Sequence, residues 1–173
     1  MEPVLLEKAF TVDINCEDVM ADKGWRQIFN PDEKRKQKVI PLKSKIVSAL
    51  RDVLIANSML DTKEERITGA VFIASDPGCL QQAFHTDYDI RDFEGLKHRP
   101  RGVLVALQAD TKFITTSDEY KLSRGDVLVF DGGLVHAGAA YDNANVRIHL
   151  YVDPKGFKRE KDATYFAEDV TCG

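Results

Sequence analysis

The sequence predicts a mainly β domain, a sandwich or rolled barrel with helices packed on one side, and two patterns predict it. Between Leu42 and Leu60 the apolar residues Ile46, Val47, Leu50, Val53, Leu54 and Met59 recur at the spacing of one helix face. From Ile67 to Val152 the pattern changes to short apolar runs bounded by Gly, Pro or Asp, the signature of strands. Helices that precede a block of strands, and do not alternate with it, argue for a layered or closed β fold and against βαβ units. At 173 residues the chain reads as one domain, 1–173, with a mainly helical part at 1–65, a β core at 66–153 and a tail at 154–173.

Val4 to Ile14 has room for an edge strand. Asp18 to Phe29 reads as a short helix with Val19, Met20, Trp25, Ile28 and Phe29 on its apolar side, weakened by Gly24. Asn30-Pro31-Asp32 is a turn. The run Lys34-Arg35-Lys36-Gln37-Lys38 is the one basic cluster. A nuclear address or a nucleic-acid patch stands there against a solvated face ahead of the long helix, and the adjacent Asp32 and Glu33, with no interleaved aromatics, favour the solvated face. Strands are predicted at Ile67–Ala74, Ala83–Tyr88, Gly102–Gln108, Lys112–Thr116, Val127–Phe130, Val135–Ala139 and Val146–Val152. In the tail, Phe157, Tyr165 and Phe166 are anchors that would dock it on the core.

The net charge of −4 offers no electrostatic footprint for a phosphate backbone, which argues against a nucleic-acid partner. Cys16, Cys79 and Cys172 are odd in number and far apart, fitting reduced thiols better than a disulfide framework. Glu2, Glu7 and Lys8 interrupt the first ten residues, so they lack the pattern of a secretion signal, and no run is long and apolar enough to span a bilayer. The expectation is a soluble cytoplasmic protein with no membrane partner, a nuclear location staying open through the basic run.

The chemistry concentrates in His85-Thr86-Asp87. In an extended chain His85 and Asp87 share one face, so an imidazole and a carboxylate converge. His136 follows the Gly132-Gly133 turn after an apolar strand and is the third ligand candidate. Two histidines and one carboxylate with open coordination positions are the ligand set of oxygen-activating non-haem Fe(II) sites. Arg147, His149 and Tyr151 then share one face of the last strand, while Ile148, Leu150 and Val152 complete the other. Such a strand suits a barrel that is dry outside, under the helix, and polar inside. Gln82 reaches that interior only if its strand bends. The connection 89–101, rich in charge, reads either as a lid or as a surface excursion. Cys79, after Pro77-Gly78, reads as a buried turn residue.

The order His-x-Asp, then His after a Gly-Asp-hydrophobic strand, then Arg on the last strand resembles the iron(II) and 2-oxoglutarate-dependent oxygenase superfamily. Tyr88 to Arg99, followed by Pro100-Arg101-Gly102 and an apolar strand, is most similar to its phytanoyl-CoA dioxygenase-like branch. The resemblance spans about Ile67 to Val152. It implies a double-stranded β-helix, a jelly-roll barrel here buttressed by the amino-terminal helices. It implies Fe(II) held by His85, Asp87 and His136, and 2-oxoglutarate held at its distal carboxylate by Arg147, with Gln82 and His149 as further candidates around the cosubstrate. O2 would be the oxidant, and a small-molecule or peptide substrate would be hydroxylated with release of succinate and CO2. Tyr88 and Arg101 are the substrate candidates. Asp at position 87, where halogenating relatives carry Ala or Gly, implies hydroxylation. Prolyl hydroxylases commonly have Lys where Arg147 stands, which weighs against that branch. Two other classes remain open: a cupin-like metalloenzyme that does not use 2-oxoglutarate, although the His-x-His spacing with a close Glu is absent, and a non-catalytic binding barrel.

Overall fold

The structure, a computed structural model, describes residues 2–167. The chain runs β1 (Val4–Leu6), α1 (Cys16–Ala21), β2 (Arg26–Gln27), β3 (Arg35–Val39) and α2 (Lys45–Ala56). It continues through β4 (Glu65–Ser75), β5 (His85–Thr86), a 3-10 turn (Ile90–Phe93), β6 (Arg101–Ala106), β7 (Thr111–Thr115) and β8 (Glu119–Leu122). The last strands are β9 (Val127–Asp131), β10 (His136–Gly138), β11 (Asn145–Pro154) and β12 (Tyr165–Phe166). Antiparallel pairing sorts the strands into a major sheet, β1-β9-β6-β11-β4-β3-β2, and a minor sheet, β12-β5-β10-β7-β8. Mainly β structure in two antiparallel sheets, with helices only in the amino-terminal third of the described residues, is a jelly-roll-like architecture.

Helix α2 forms because its apolar residues fall on one face and Ser44 caps it, the Ser44 side chain accepting from the Val47 amide at 3.3 Å. Val47, Leu50 and Leu54 are buried in a cluster with Ala70, Phe72 and Ala74 of β4, Val103 and Val105 of β6, and Ile148, Leu150 and Val152 of β11. The alternate residues of β6 and β9, Leu104, Ala106, Leu128 and Phe130, enter a second cluster with Phe113 and Leu122 of the minor sheet. The period of two therefore gives the major sheet one face under the helix and one face toward the minor sheet. Between the sheets lies a cavity of about 440 Å³, and the inward residues of β11, Arg147, His149 and Tyr151, line it.

Several expectations are corrected. The helix expected over Asp18 to Phe29 is Cys16–Ala21: Asn15 caps it by accepting from the Asp18 amide, and after Asp22 the chain turns at Gly24, whose φ of +93° suits glycine. The basic run is not a solvated face. From Arg35 on it is part of strand β3, in which Arg35 is buried and Lys36, Gln37 and Lys38 are half-buried, while Lys34 stays exposed. The strand expected over Ala83 to Tyr88 shrinks to β5, so Asp87 sits just past its end. Strands β8 and β12 join the set, while Val4–Leu6 supplies the expected edge strand by pairing with β9. Tyr165 and Phe166 dock the tail by pairing with β5. Cys16 and Cys79 are free thiols, and Cys172 lies outside the described residues. No helix among the described residues is long and apolar enough to cross a membrane.

Leu54 is fully buried between α2 and the major sheet. Leu54→Ala should destabilise the fold by about 2–5 kcal/mol, read from the urea midpoint at unchanged slope. A loss well under about 1 kcal/mol would mean that the helix does not carry the core as described.

Candidate metal centre

His85 and His136 are opposite each other in the antiparallel pair of β5 and β10. Their ring centroids are 4.6 Å apart. Asp87 swings in from beyond β5, and one ligand atom from each of His85, Asp87 and His136 lies within 4.8 Å of the others. Asp87 Oδ1 is 3.7 Å from His85 Nε2 and 3.6 Å from His136 Nε2. Each imidazole is oriented from behind, Nδ1 of His85 lying 2.8 Å from the Ala83 carbonyl and Nδ1 of His136 2.9 Å from the Leu134 carbonyl. A carbonyl can only accept, so Nδ1 carries the proton and Nε2 keeps its lone pair toward Asp87.

The electrostatics point the same way. Burial opposes the charge on Asp87, yet the surrounding imidazoles of His136, His149 and His85 hold its carboxyl well below the usual carboxylate range. Burial pulls His136 down to about 4 against the counter-effect of Asp87, which keeps the ring neutral, the form that ligates metal. His149 Nε2 lies 3.3 Å from Asp87 Oδ2 without the alignment of a hydrogen bond, and both atoms are buried with no partner among the described residues. Asp87 Oδ1 faces the lone pairs of both Nε2 atoms, and this donor set fits a divalent transition metal on His85, Asp87 and His136, with open positions toward the cavity.

Arg147 and Gln82 line the same cavity. Arg147 lies over the Tyr141 ring at 5.0 Å and donates through Nη1 to Ser75 Oγ at 3.2 Å and Asn145 Oδ1 at 3.3 Å. Its Nε and Nη2 donors find no protein acceptor among the described residues, so they are available to an anion in the cavity. Gln82 is turned inward by the irregular chain ahead of β5, but both ends of its amide are engaged: Oε1 accepts from the Gly138 amide at 3.0 Å and Nε2 donates to the Phe29 carbonyl at 3.0 Å. His149 stacks on Tyr151 at 4.6 Å and faces Asp87.

Two expected substrate residues are not at the cavity. Tyr88 is buried elsewhere, its hydroxyl donating to Asp153 Oδ1 at 2.5 Å. Arg101 donates to Glu65 Oε1 at 2.6 Å in a separate pocket with Lys97 and His98. No residue of the 89–101 connection lines the cavity; Phe93 and Pro100 tie it down as buried contacts. Arg26, Gln27, Phe29, Asp162, Thr164 and Phe166 line the cavity instead, and Arg26 Nη2 donates to Asp162 Oδ1 at 2.8 Å. Phe29 meets His85 edge-on at 5.0 Å and Phe166 at 5.4 Å. Arg35 also lines the cavity, and the sequence reading missed it because a charge run carries no apolar alternation to show which side faces in.

No family model matches the chain, and no curated protein matches it in sequence. Solved structures do match in fold. HygX from Streptomyces hygroscopicus, with nickel and 2-oxoglutarate bound, superposes with a TM-score of 0.69 at 12% identity, over 92% of this chain and 85% of that one. The viral collagen prolyl hydroxylase vCPH from Paramecium Bursaria Chlorella virus-1, in its 2OG complex, gives 0.58 at 13% identity, over 87% and 94%. The non-heme alpha-ketoglutarate-dependent epimerase SnoN from nogalamycin biosynthesis gives 0.66 at 12% identity, over 87% and 75%. The chain thus has the fold of the iron and 2-oxoglutarate oxygenases.

Removing the carboxylate in Asp87→Ala should bring Co(II) binding, followed by its visible spectrum, below detection while the circular dichroism stays native. Undiminished Co(II) binding in Asp87→Ala would place the metal elsewhere. The metal-free fold should lose stability as pH falls from 6.5 toward about 4, because the unfolded chain takes up a proton on His136 that the folded chain excludes. Denaturant titrations across that range would show the slope, and a flat profile would contradict a buried neutral His136.

Proposed function

We propose that this chain is an Fe(II)- and 2-oxoglutarate-dependent dioxygenase that hydroxylates a small molecule or a protein side chain. One observation carries the reading: the His85, Asp87, His136 cluster and the donors of Arg147 left unpaired among the described residues open into the same cavity. In this reading the three side chains hold the metal and Arg147 holds the far carboxylate of the cosubstrate, for which a planar guanidinium offers paired donors and a permanent charge. When bound, the metal with 2-oxoglutarate and O2 supplies the oxidation, in which cosubstrate goes to succinate and CO2 and one oxygen atom goes into a substrate C–H bond. The protein's part is geometric and electrostatic. His85 and His136 are held in one tautomer by backbone carbonyls, Asp87 stays ionised among imidazoles, and Phe113 and Phe130 wall His136 at ring distances of 5.1 Å, limiting water.

The substrate would enter where Phe29 and Phe166 line the cavity, beside Gln27, Thr164 and the Arg26–Asp162 ion pair. This mixed aromatic and polar border suits a small polar molecule or an extended side chain. HygX has been solved with hygromycin B, and vCPH is a collagen prolyl hydroxylase, so the fold accommodates both kinds. The phytanoyl-CoA-like likeness rests on the segment from Tyr88 to Gly102, which packs away from the cavity, and it supports no acyl-CoA substrate. The free Cys16 and Cys79 suit a reducing compartment, in keeping with a cytoplasmic enzyme.

With Fe(II), O2 and 2-oxoglutarate, the protein should form succinate, faster when a productive substrate is added. Asp87→Ala should abolish this. Arg147→Ala should keep the metal and raise the 2-oxoglutarate requirement by roughly ten- to a hundredfold, the loss of a charge-assisted pair. Metal binding with no succinate under any condition would favour the cupin-like alternative.

A further inference from the structure

The anion end of the cavity holds two guanidinium groups. Arg35 on β3 and Arg147 on β11 flank the central strand β4, and each donates through Nη1 to Ser75 Oγ at 3.2 Å. Both side chains are nearly inaccessible, at 1% and 3%, yet both reach the cavity wall. Every hydrogen-bond acceptor of the two among the described residues is a neutral oxygen. For Arg35 these are Asn30 Oδ1 at 2.8 Å, Ser75 Oγ, and the carbonyls of Leu80 at 3.0 Å, Gly138 at 3.4 Å and Ala139 at 2.8 Å; for Arg147 they are Ser75 Oγ and Asn145 Oδ1. Two adjacent buried cations therefore lack a compensating carboxylate among the described residues, an arrangement that costs desolvation and mutual repulsion.

Burial and the neighbouring Arg147 pull Arg35 down, to about 10, so Arg35 stays charged at neutral pH. Five donors serve each guanidinium. Arg35 commits its Nε and both Nη2 protons to protein oxygens and one Nη1 proton to Ser75, leaving a second proton without an acceptor among the described residues on the same Nη1 that shares Ser75 Oγ with Arg147. The chain also makes room for Arg35: a Cβ at position 138 would lie 2.8 Å from Arg35 Nη1 and 2.4 Å from Gln82 Oε1.

We propose that Arg35 is a second binding residue for the terminal carboxylate of the cosubstrate, which would sit between Arg147 and the free Nη1 donor of Arg35. The inference rests on the dioxygenase reading for the identity of the ligand, and on the paired arginines for its chemistry. A two-guanidinium end selects 2-oxo acids that carry a second carboxylate at the far end, over those that end in a neutral group. It also means that a simple dicarboxylate stabilises the protein without any metal.

The test uses glutarate, which has the carboxylate but not the 2-oxo chelating group. Calorimetric titration of metal-free protein should show glutarate binding that weakens roughly ten- to a hundredfold in Arg35→Met, and similarly in Arg147→Met, with native circular dichroism. Because Arg35 also ties backbone carbonyls together, its Met variant could fail to fold; a crystal structure of the wild type with glutarate reads the contact directly. There the carboxylate should lie within hydrogen-bonding distance of Arg35 Nη1 and of Arg147. A carboxylate held by Arg147 alone, or an unchanged glutarate affinity in folded Arg35→Met, overturns the inference. If glutarate binds as expected while Fe(II)-loaded protein never turns over 2-oxoglutarate, the arginine pair stands as a carboxylate site and the dioxygenase reading falls. If 2-oxoglutarate is used with unchanged affinity in Arg35→Met, the dioxygenase reading stands and Arg35 has no part in it.

Discussion

His85 and His136 oppose each other across an antiparallel pair, and a slip of one residue in that pair would send one imidazole to the far side of the minor sheet. The whole site depends on this register. β10 also pairs with β7 and β5 with β12, so strands on both sides hold the pair in place. The chain breaks from the sheet directly after Thr86, which lets Asp87 turn to both rings. Its short strand is therefore functional geometry: a longer β5 would fix Asp87 in the pleat, while two residues suffice to set His85.

A cavity this rich in charge needs stability from elsewhere. The apolar layer beneath α2 supplies it, since β4, β6 and β11 each send alternate residues to that side. The same alternation sends Ser75, Arg147, His149 and Tyr151 inward, so the sequence that builds the core also places the site. The two ends of the cavity differ in sign and in remedy. At one end a carboxylate sits among three imidazoles; at the other, two guanidiniums share a hydroxyl oxygen. Each end is left incompletely satisfied by protein atoms, in keeping with a site built for a cation at one and an anion at the other.

Much of this was legible in the sequence, for identifiable reasons. The His-x-Asp pair, the later histidine and the arginine are side chains whose chemistry survives any small error in element boundaries. The alternation Arg147, His149, Tyr151 against Ile148, Leu150, Val152 fixes the orientation of β11 without reference to the rest of the fold. Helix α2 was equally clear from its apolar face, while its Ser44 cap entered only with the structure. What was not legible depends on distant pairing. Arg35 looks solvated in a basic run until β3 is known to add to β4, in register with Ser75. Tyr88 looks like a substrate contact by its place beside Asp87, yet the turn after β5 carries it to Asp153, 65 residues on. Phe166 comes to the cavity mouth only because two tail residues pair with β5.

In the proposed function one cavity would hold a metal at its histidine end and a 2-oxo dicarboxylate reaching from that metal to the arginine end. The most direct measurement is an anaerobic titration of the Fe(II)-loaded protein with 2-oxoglutarate, followed in the visible for the weak charge-transfer absorption of a chelated 2-oxo acid. The account predicts a saturable band. Fe(II) bound with no band at any 2-oxoglutarate concentration would contradict it.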